Sequence, residues 1–235
     1  TSFAVTLNLI FYGLTAPFAA VLMERYSVKR VALGALVLIG IGTTLTVWMS
    51  ELWQLVLYWG VFVGAGTSGL ALVFASVVAN RWFVDKRGLI TGIFSAAYAT
   101  GQLVFLPLIA HMVMSVGWKA GSLIVAGFVA LVIPVFTFAF KNRPAEAGVR
   151  PYGATEDGPT YTEAPRTLRS TFTVLFEVAK TKQFWVLSGT FFVCGWTTNG
   201  LIGAHFIPAA HDHGMPATTA ASLLALVGVF DFIGT

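Results

Sequence analysis

A single carboxylate lies inside an otherwise apolar segment near the end of the sequence. Residues 223–235 read LLALVGVFDFIGT, and Asp231 is their one charged residue. A charge at membrane depth costs on the order of 2.5 to 3.5 kcal/mol unless it faces a cavity or a partner, and such residues commonly carry protons or operate gates. Asp231 is therefore a candidate coupling residue. The alternative is that it lies near the end of its helix and anchors a structural hydrogen bond.

Polar side chains interrupt other apolar segments at a few points. Thr197, Thr198 and Asn199 follow one another beside three glycines. A locally unwound helix that offers hydrogen bonds to a substrate near the membrane midplane has this composition, and so does a helix that forms interhelical hydrogen bonds. Asn8 and Gln102 are further candidates for the substrate path, again with interhelical bonding as the alternative.

The histidines suggest protonation chemistry more than metal binding. His205, like His111, lies near the end of an apolar segment and is a candidate for exchanging a proton. His211 and His213 flank Asp212 in a polar turn, where we expect a solvated turn without a third metal ligand. The sequence contains no G-x-x-x-x-G-K-[ST] loop and no hydrolase spacing of Ser, His and Asp. We therefore expect no metal, no cofactor and no nucleotide hydrolysis.

These residues must be positioned by membrane helices. Of the 235 residues 57% are hydrophobic and 10% charged, and the mean hydropathy is +0.80. Apolar stretches of roughly the 20 residues that a membrane helix needs occur seven times, at about 3–23, 31–50, 52–79, 89–114, 120–140, 184–208 and 217–235. Lipid leaves no partner for the backbone of an open strand. The sequence thus predicts an all-α, multi-pass membrane protein.

The basic residues predict the orientation of the spans. Of the 14 Lys and Arg residues, 13 follow the first, third and fifth stretches, whereas Lys119 stands alone on the other side. By the positive-inside rule these basic segments are cytoplasmic, in a plasma or bacterial inner membrane. The net charge of +4 therefore reports topology, and nucleic-acid binding is not expected because no single basic face forms.

Residues 141–182 form the one long polar segment and are rich in Pro, Gly and Thr. We interpret them as a cytoplasmic linker. From about Ser170 to Lys182 the apolar residues recur at helical spacing, which predicts a short amphipathic helix at the membrane interface. The chain begins without Met or a signal peptide and stops without a polar flank, so we expect an internal piece of a longer protein.

Three motifs resemble the major facilitator superfamily. That family places a pattern close to G-x-x-x-D-R-x-G-R-R between its second and third helices. Here the stretch LMERYSVKR supplies Glu24, Arg25, Lys29 and Arg30 at matching positions. Glu24 stands for the usual Asp, and Ser27 stands for the usual Gly. The stretches RWFVDKRGLITGIFSAAYATGQLVFLPL, 81–108, and FFVCGWTTNGLIGAHFIP, 191–208, resemble the monocarboxylate-carrier branch.

The resemblance implies an architecture and a gate. Residues 1–140 would be an N-terminal helix bundle without its first helix, and 183–235 the start of a C-terminal bundle, so that the chain runs from the second to the eighth helix. The ends that carry Glu24 and Arg81 would approach one another, and their pair would hold the inward gate shut in one conformation. For Arg25, Lys29 and Arg30, topology and contacts with lipid headgroups are the alternative.

Departures from the family pattern narrow the function. The Arg of proton-coupled drug antiporters is replaced by Gly60, which argues against that class. In monocarboxylate carriers an Asp of the eighth helix is followed one turn later by an Arg; Asp231 matches the Asp, but Thr235 occupies the Arg position.

The expected function is secondary transport of a small organic anion, such as a monocarboxylate, by alternating access, with a proton as the coupling ion and a monomer as the working unit. A transporter of another solute and a non-transporting membrane sensor stay open. For an intramembrane enzyme, paired nucleophile and base or clustered metal ligands would be required, and neither is seen.

Overall fold

The computed structural model describes residues 2–154 and 168–234, and the regular secondary structure of these residues is helical. The helices are α1 Ser2–Arg25, α2 Val28–Thr46, α3 Leu52–Trp82, α4 Arg87–Val116, α5 Trp118–Ala139, α6 Leu168–Val178, α7 Lys182–Gly195, α8 Ala204–Asp212 and α9 Ala217–Gly234. A π-helical segment, Val56–Val63, lies within α3, and a second, Trp196–Gly203, joins α7 to α8. The prediction of an all-α fold is confirmed.

Five of the described helices, α1 to α5, are long and apolar enough to cross a membrane. They coincide with the first five predicted spans, although their ends differ by a few residues. Helix α2 begins at Val28 rather than near residue 31, because Ser27 caps it and the charged Lys29 and Arg30 belong to its first turn. The continuous helix over 182–212 and α9 coincide with the last two predicted spans, and that these cross the membrane stays a prediction.

The chain forms two compact units. The first comprises Thr1–Ser95 and Trp118–Arg166, and the second comprises Ala96–Gly117 and Thr167–Thr235. Helix α4 therefore contributes its first part to one unit and its second part to the other. The predicted division into 1–140, 141–182 and 183–235 stays a prediction.

In the first unit, glycines allow α3 to lie directly against α1 and α2. A Cβ atom on Gly64 would lie 2.7 Å from the carbonyl oxygen of Asn8 in α1, and one on Gly66 would lie 2.9 Å from that of Ala35 in α2. On the α2 side, a Cβ on Gly42 would lie 2.7 Å from the Tyr58 carbonyl oxygen. These distances are too short for any side chain, so close packing alone accounts for the three glycines.

A cluster of aromatic rings joins α3, the first part of α4, and α5. The ring of Phe74 lies 6.2 Å from that of Phe94, 6.0 Å from that of Phe136 and 5.6 Å from that of Phe140, measured between centroids. Phe136 and Phe140 stack on each other at 4.6 Å. Ring pairs of this kind add to the burial of apolar area. The cluster therefore fixes the end of α5, from which the predicted linker starts.

In the second unit, α8 and α9 pack as a helical hairpin. The expected solvated turn around His211 and His213 is the end of α8: Gly214 takes a left-handed conformation at φ 85°, and the N–H of Met215 donates to the Ala210 carbonyl at 3.0 Å. This is the usual glycine-terminated helix end. The predicted amphipathic helix exists as α6 and ends at Val178, before Thr181 caps α7.

Candidate functional site

The ends of α1 and α3 that carry the predicted gate residues meet in the first unit. Arg81 is 8% exposed, and its Nη2 donates to the carbonyl oxygen of Met23 at 3.4 Å. Met23 is fully buried and directly precedes Glu24, whose Oε2 atom is also buried. A buried charge requires hydrogen bonds or an opposite charge. The structure thus places a guanidinium and a carboxylate at the same end of the unit, and their gating role stays a prediction.

The other predicted gate residues lie on the surface of this end. Arg25 and Arg30 are exposed, and the Arg25 guanidinium lies 5.6 Å from the centroid of the Tyr26 ring. Lys29 contributes its backbone N–H to a hydrogen bond with the Asn142 side chain at 2.9 Å. Exposed basic side chains are well placed to contact anionic headgroups, which was the alternative interpretation. A gating role for the three residues stays a prediction.

Ser27 replaces the usual glycine of the motif without difficulty. Its backbone is extended, with φ 164° and ψ 151°, which residues other than glycine also adopt. Its Oγ accepts a hydrogen bond from the N–H of Arg30 at 3.1 Å and so caps α2. Serine at this position therefore lacks the backbone freedom of glycine, which the extended conformation does not need, and it adds a cap to α2.

Replacing Ser27 by alanine removes this cap and should lower the free energy of unfolding by about 1 kcal/mol. Thermal unfolding of the purified protein in detergent measures the effect. Ser76→Ala is the matched control, since Ser76 is exposed and its Oγ donates to the Val73 carbonyl of its own helix in the part of the chain that the structure describes. Equal loss of stability in both variants would show that the cap contributes nothing.

The polar stretch of the sixth predicted span does not unwind but widens into the π-helical segment Trp196–Gly203. Within it, Thr197 Oγ1 donates to the carbonyl oxygens of Val193 at 2.9 Å and Cys194 at 3.1 Å. Thr198 Oγ1 lies 3.9 Å from Cys194 Sγ. Short π-helical segments are rare and concentrate at functional sites. The segment is consistent with a substrate path, and the two threonines form these bonds within their own helix.

His205 follows this segment and is held in one tautomer. Its Nδ1 lies 2.8 Å from the carbonyl oxygen of Gly200. A carbonyl only accepts hydrogen bonds, so Nδ1 carries the hydrogen and Nε2 of the neutral ring presents a lone pair. His205 is exposed, and Nε2 can accept a proton or a hydrogen bond from a substrate.

Among the remaining predicted substrate-path residues, Asn8 has a defined contact. Asn8 Nδ2 donates to the Trp59 carbonyl at 2.8 Å, which links α1 to the π-helical part of α3. This is the interhelical bond that was the alternative to a substrate contact. The side chains of Gln102, Asn199 and Asp231 lie outside the described part of the chain, so their roles stay predictions.

Some features of this site are absent from the sequence-based expectations. Ala71, with φ −84° and ψ −142°, interrupts α3 near its middle, although alanine favours helices and gives no signal of a break. Residues 141–154, interpreted as linker, pack on the loops beside Glu24 and Arg81. The left-handed Gly148 and Gly153 are a signal of turns that could have indicated an ordered segment. Among the described residues no group of three His, Cys, Asp or Glu could hold a metal ion.

Comparison with known proteins places the whole chain in a single family. A sequence profile described as Major Facilitator Superfamily matches residues 1–235. The match includes both units and the segment that joins α5 to α6. It agrees with the helical architecture and with the motif around Glu24.

Individual relatives are distant and longer than this chain. It is 27% identical to the uncharacterized MFS-type transporter YhjX of Escherichia coli (strain K12), over 98% of this chain and 54% of that protein. It is 29% identical to the oxalate:formate antiporter of Oxalobacter formigenes, over 72% of this chain and 36% of that protein. It is 26% identical to monocarboxylate transporter 4 of Rattus norvegicus, over 94% of this chain and 44% of that protein. The chain spans about half the length, or less, of these relatives.

Proposed function

This chain belongs to the major facilitator superfamily, and from that premise we propose that it transports a small monocarboxylate-like organic anion by alternating access. The family consists of transporters, and the apolar helices α1 to α5 suit a multi-pass membrane protein. The observation that carries the substrate class is the likeness to an oxalate:formate antiporter and to monocarboxylate transporters. Small carboxylates are common to all of these names.

The buried end of the first unit supports a gate. In alternating access, one end of the bundle must close while the other opens. Arg81 and the Oε2 atom of Glu24 are buried where α1 and α3 meet, and a charged contact there can form in one conformation and break in the other. The basic segments around Arg25, Lys86 and Lys141 belong to this same end, so we assign it to the cytoplasm.

Gradients drive this transport, and a proton is the coupling ion we propose. Asp231 is the candidate carrier, because an isolated carboxylate in an apolar run is costly unless its charge is used. His205 Nε2 is a second proton acceptor, on the helix that follows the π-helical segment. The working unit is a monomer, and neither a cofactor nor an enzymatic step is part of the proposal.

Uptake by proteoliposomes that contain the full-length protein tests this function. Labelled oxalate, formate, lactate and pyruvate are offered with and without an inward proton gradient, beside liposomes without protein. The expected result is saturable uptake of at least one acid that the gradient accelerates. If none of the four acids is taken up, the proposed substrate class is wrong. If uptake is the same with and without the gradient, a proton is not the coupling ion.

Replacing Arg81 by glutamine tests the gate separately. A hydrogen bond from a charged donor contributes about 1.5 to 3 kcal/mol, so its loss should lower the uptake rate roughly tenfold or more. Initial rates of uptake measure the effect, and thermal unfolding shows whether the variant remains folded. Arg87→Gln is the matched control, because Arg87 is exposed and, among the described residues, bonds to the nearby Phe83 carbonyl. Equal rates in the two variants would contradict a gate at Arg81.

A further inference from the structure

The segment that follows α5 is ordered and touches two other loops. We call residues 141–154 the clamp segment. It directly follows Phe140, whose ring packs against Phe74 of α3, and it contacts the start of α2 and the end of α3. All of these contacts lie within the first unit.

The clamp segment has its own compact structure. Pro144–Ala147 form a 3-10 turn that ends at Gly148, which is left-handed at φ 71°. The N–H of Val149 donates to the Pro144 carbonyl at 3.1 Å, and the N–H of Asn142 donates to Glu146 Oε2 at 2.9 Å. Pro144 is buried. Because these bonds satisfy the turn locally, the segment can act as a unit rather than as a flexible connection.

Asn142 completes the N-terminal cap of α2. The first N–H groups of a helix have no acceptor within the helix. Ser27 Oγ accepts the N–H of Arg30, and Asn142 Oδ1 accepts the N–H of Lys29 at 2.9 Å. A residue 113 positions further along the chain thus holds the loop that follows Glu24.

The other end of the clamp segment pairs with the end of α3. The N–H of Tyr152 donates to the Trp82 carbonyl at 2.8 Å, and the Tyr152 carbonyl accepts the N–H of Val84 at 2.8 Å. The ring of Tyr152 lies 6.0 Å from that of Phe83. Gly153 is left-handed at φ 81°, and a Cβ there would overlap the Asp85 carboxyl group. These contacts begin one residue after Arg81.

We propose that the clamp segment positions the gate, with Asn142 as a positioning residue. It ties the loop after Glu24 to the residues after Arg81, so that the ends of α1 and α3 return to the same relative position each time the gate closes. This inference rests on the proposed function, because it assigns the segment a role in transport. Without the clamp, the two loops would move independently and the gate residues would meet less often.

Hydrogen exchange measured by mass spectrometry on the full-length protein in lipid nanodiscs tests the coupling. In Asn142→Ala, we expect the backbone N–H of Lys29 to exchange about fivefold faster, which is the effect of losing one hydrogen bond of typical net strength. We also expect faster exchange at Val84 and Tyr152, whose N–H groups donate to the Tyr152 and Trp82 carbonyls and not to Asn142. Asn142→Asp is the matched control, since it keeps an oxygen acceptor at the start of α2, and its exchange should stay near that of the wild type.

Uptake by the same variants tests the role in transport. We expect Asn142→Ala to lower the maximal uptake rate about fivefold with little change in KM, since the proposal gives the segment a positioning role and no contact with substrate. Faster exchange confined to residues near Lys29, or an unchanged uptake rate, would overturn the proposal. If the wild type takes up none of the tested acids, the proposed function fails, and exchange at Val84 and Tyr152 still decides whether the clamp couples the two loops.

Discussion

Replacing Gly64 by alanine should destabilise the first unit more than any other single methyl group added to α3. The new Cβ would lie 2.7 Å from the carbonyl oxygen and 3.1 Å from the Cα of Asn8, and both are backbone atoms that cannot rotate away. Helix α1 must then move from α3, which also strains the bond from Asn8 to the Trp59 carbonyl. Overpacking typically costs 1 to 3 kcal/mol, and we expect about 2 to 4 kcal/mol with the weakened hydrogen bond.

Thermal unfolding in detergent, followed by tryptophan fluorescence, measures this loss as a decrease in Tm of about 5 to 10 °C. The matched control is Gly34→Ala in α2, where a Cβ would meet nothing within 4 Å. Alanine favours a helix over glycine by up to about 1 kcal/mol, so this control should be neutral or slightly stabilised. A Gly64→Ala protein as stable as the control would mean that α1 and α3 do not pack as closely as described.

Replacing Asp231 by asparagine should abolish the part of uptake that depends on the proton gradient. The side chain keeps its size and its capacity for hydrogen bonds but loses the proton that it could exchange. Placing a carboxylate at membrane depth costs on the order of 2.5 to 3.5 kcal/mol. A free-energy difference of this size corresponds to roughly a 100-fold change in rate. We expect gradient-driven uptake to decrease by about this factor.

Uptake with and without the gradient separates the two interpretations of Asp231. Asp231→Glu is the matched control, because it retains a titratable carboxyl group and should keep part of the gradient dependence. If Asp231 only anchors a structural hydrogen bond, asparagine can replace it, and gradient-driven uptake should stay near that of the wild type. That result would remove Asp231 from the coupling path while leaving the fold and the substrate class intact.

The predicted spans were largely readable from hydropathy, because a helix in lipid must cover a fixed thickness with apolar residues. The five helices α1 to α5 confirm this, and they differ from the prediction mainly at their ends. Helix α2 begins at Val28 and not near residue 31 because its boundary depends on capping by Ser27 and Asn142, which hydropathy does not report. The same limit applies to α6, which ends earlier than its apolar pattern indicated.

The candidate site was only partly predictable. Arg81 was chosen because the family resemblance brings the ends of α1 and α3 together, and the structure finds it buried, with its Nη2 donating to the Met23 carbonyl. Lys29 was chosen because it matches a basic position of the family motif, yet its defined contact is through its backbone N–H. Asn142 was not chosen at all, because an asparagine in a Pro- and Gly-rich segment looks like part of any linker. Its importance comes from a partner 113 residues away.

The sequence by itself determined that this chain is a multi-pass helical protein of the facilitator type, since composition, span length and local motifs are properties of short segments. Only the tertiary structure decided which helices touch through Gly64 and Gly66, that α3 breaks at Ala71, and that residues 141–154 join two loops. These features depend on contacts between residues far apart in the chain, and such contacts leave no periodic pattern in the amino-acid sequence.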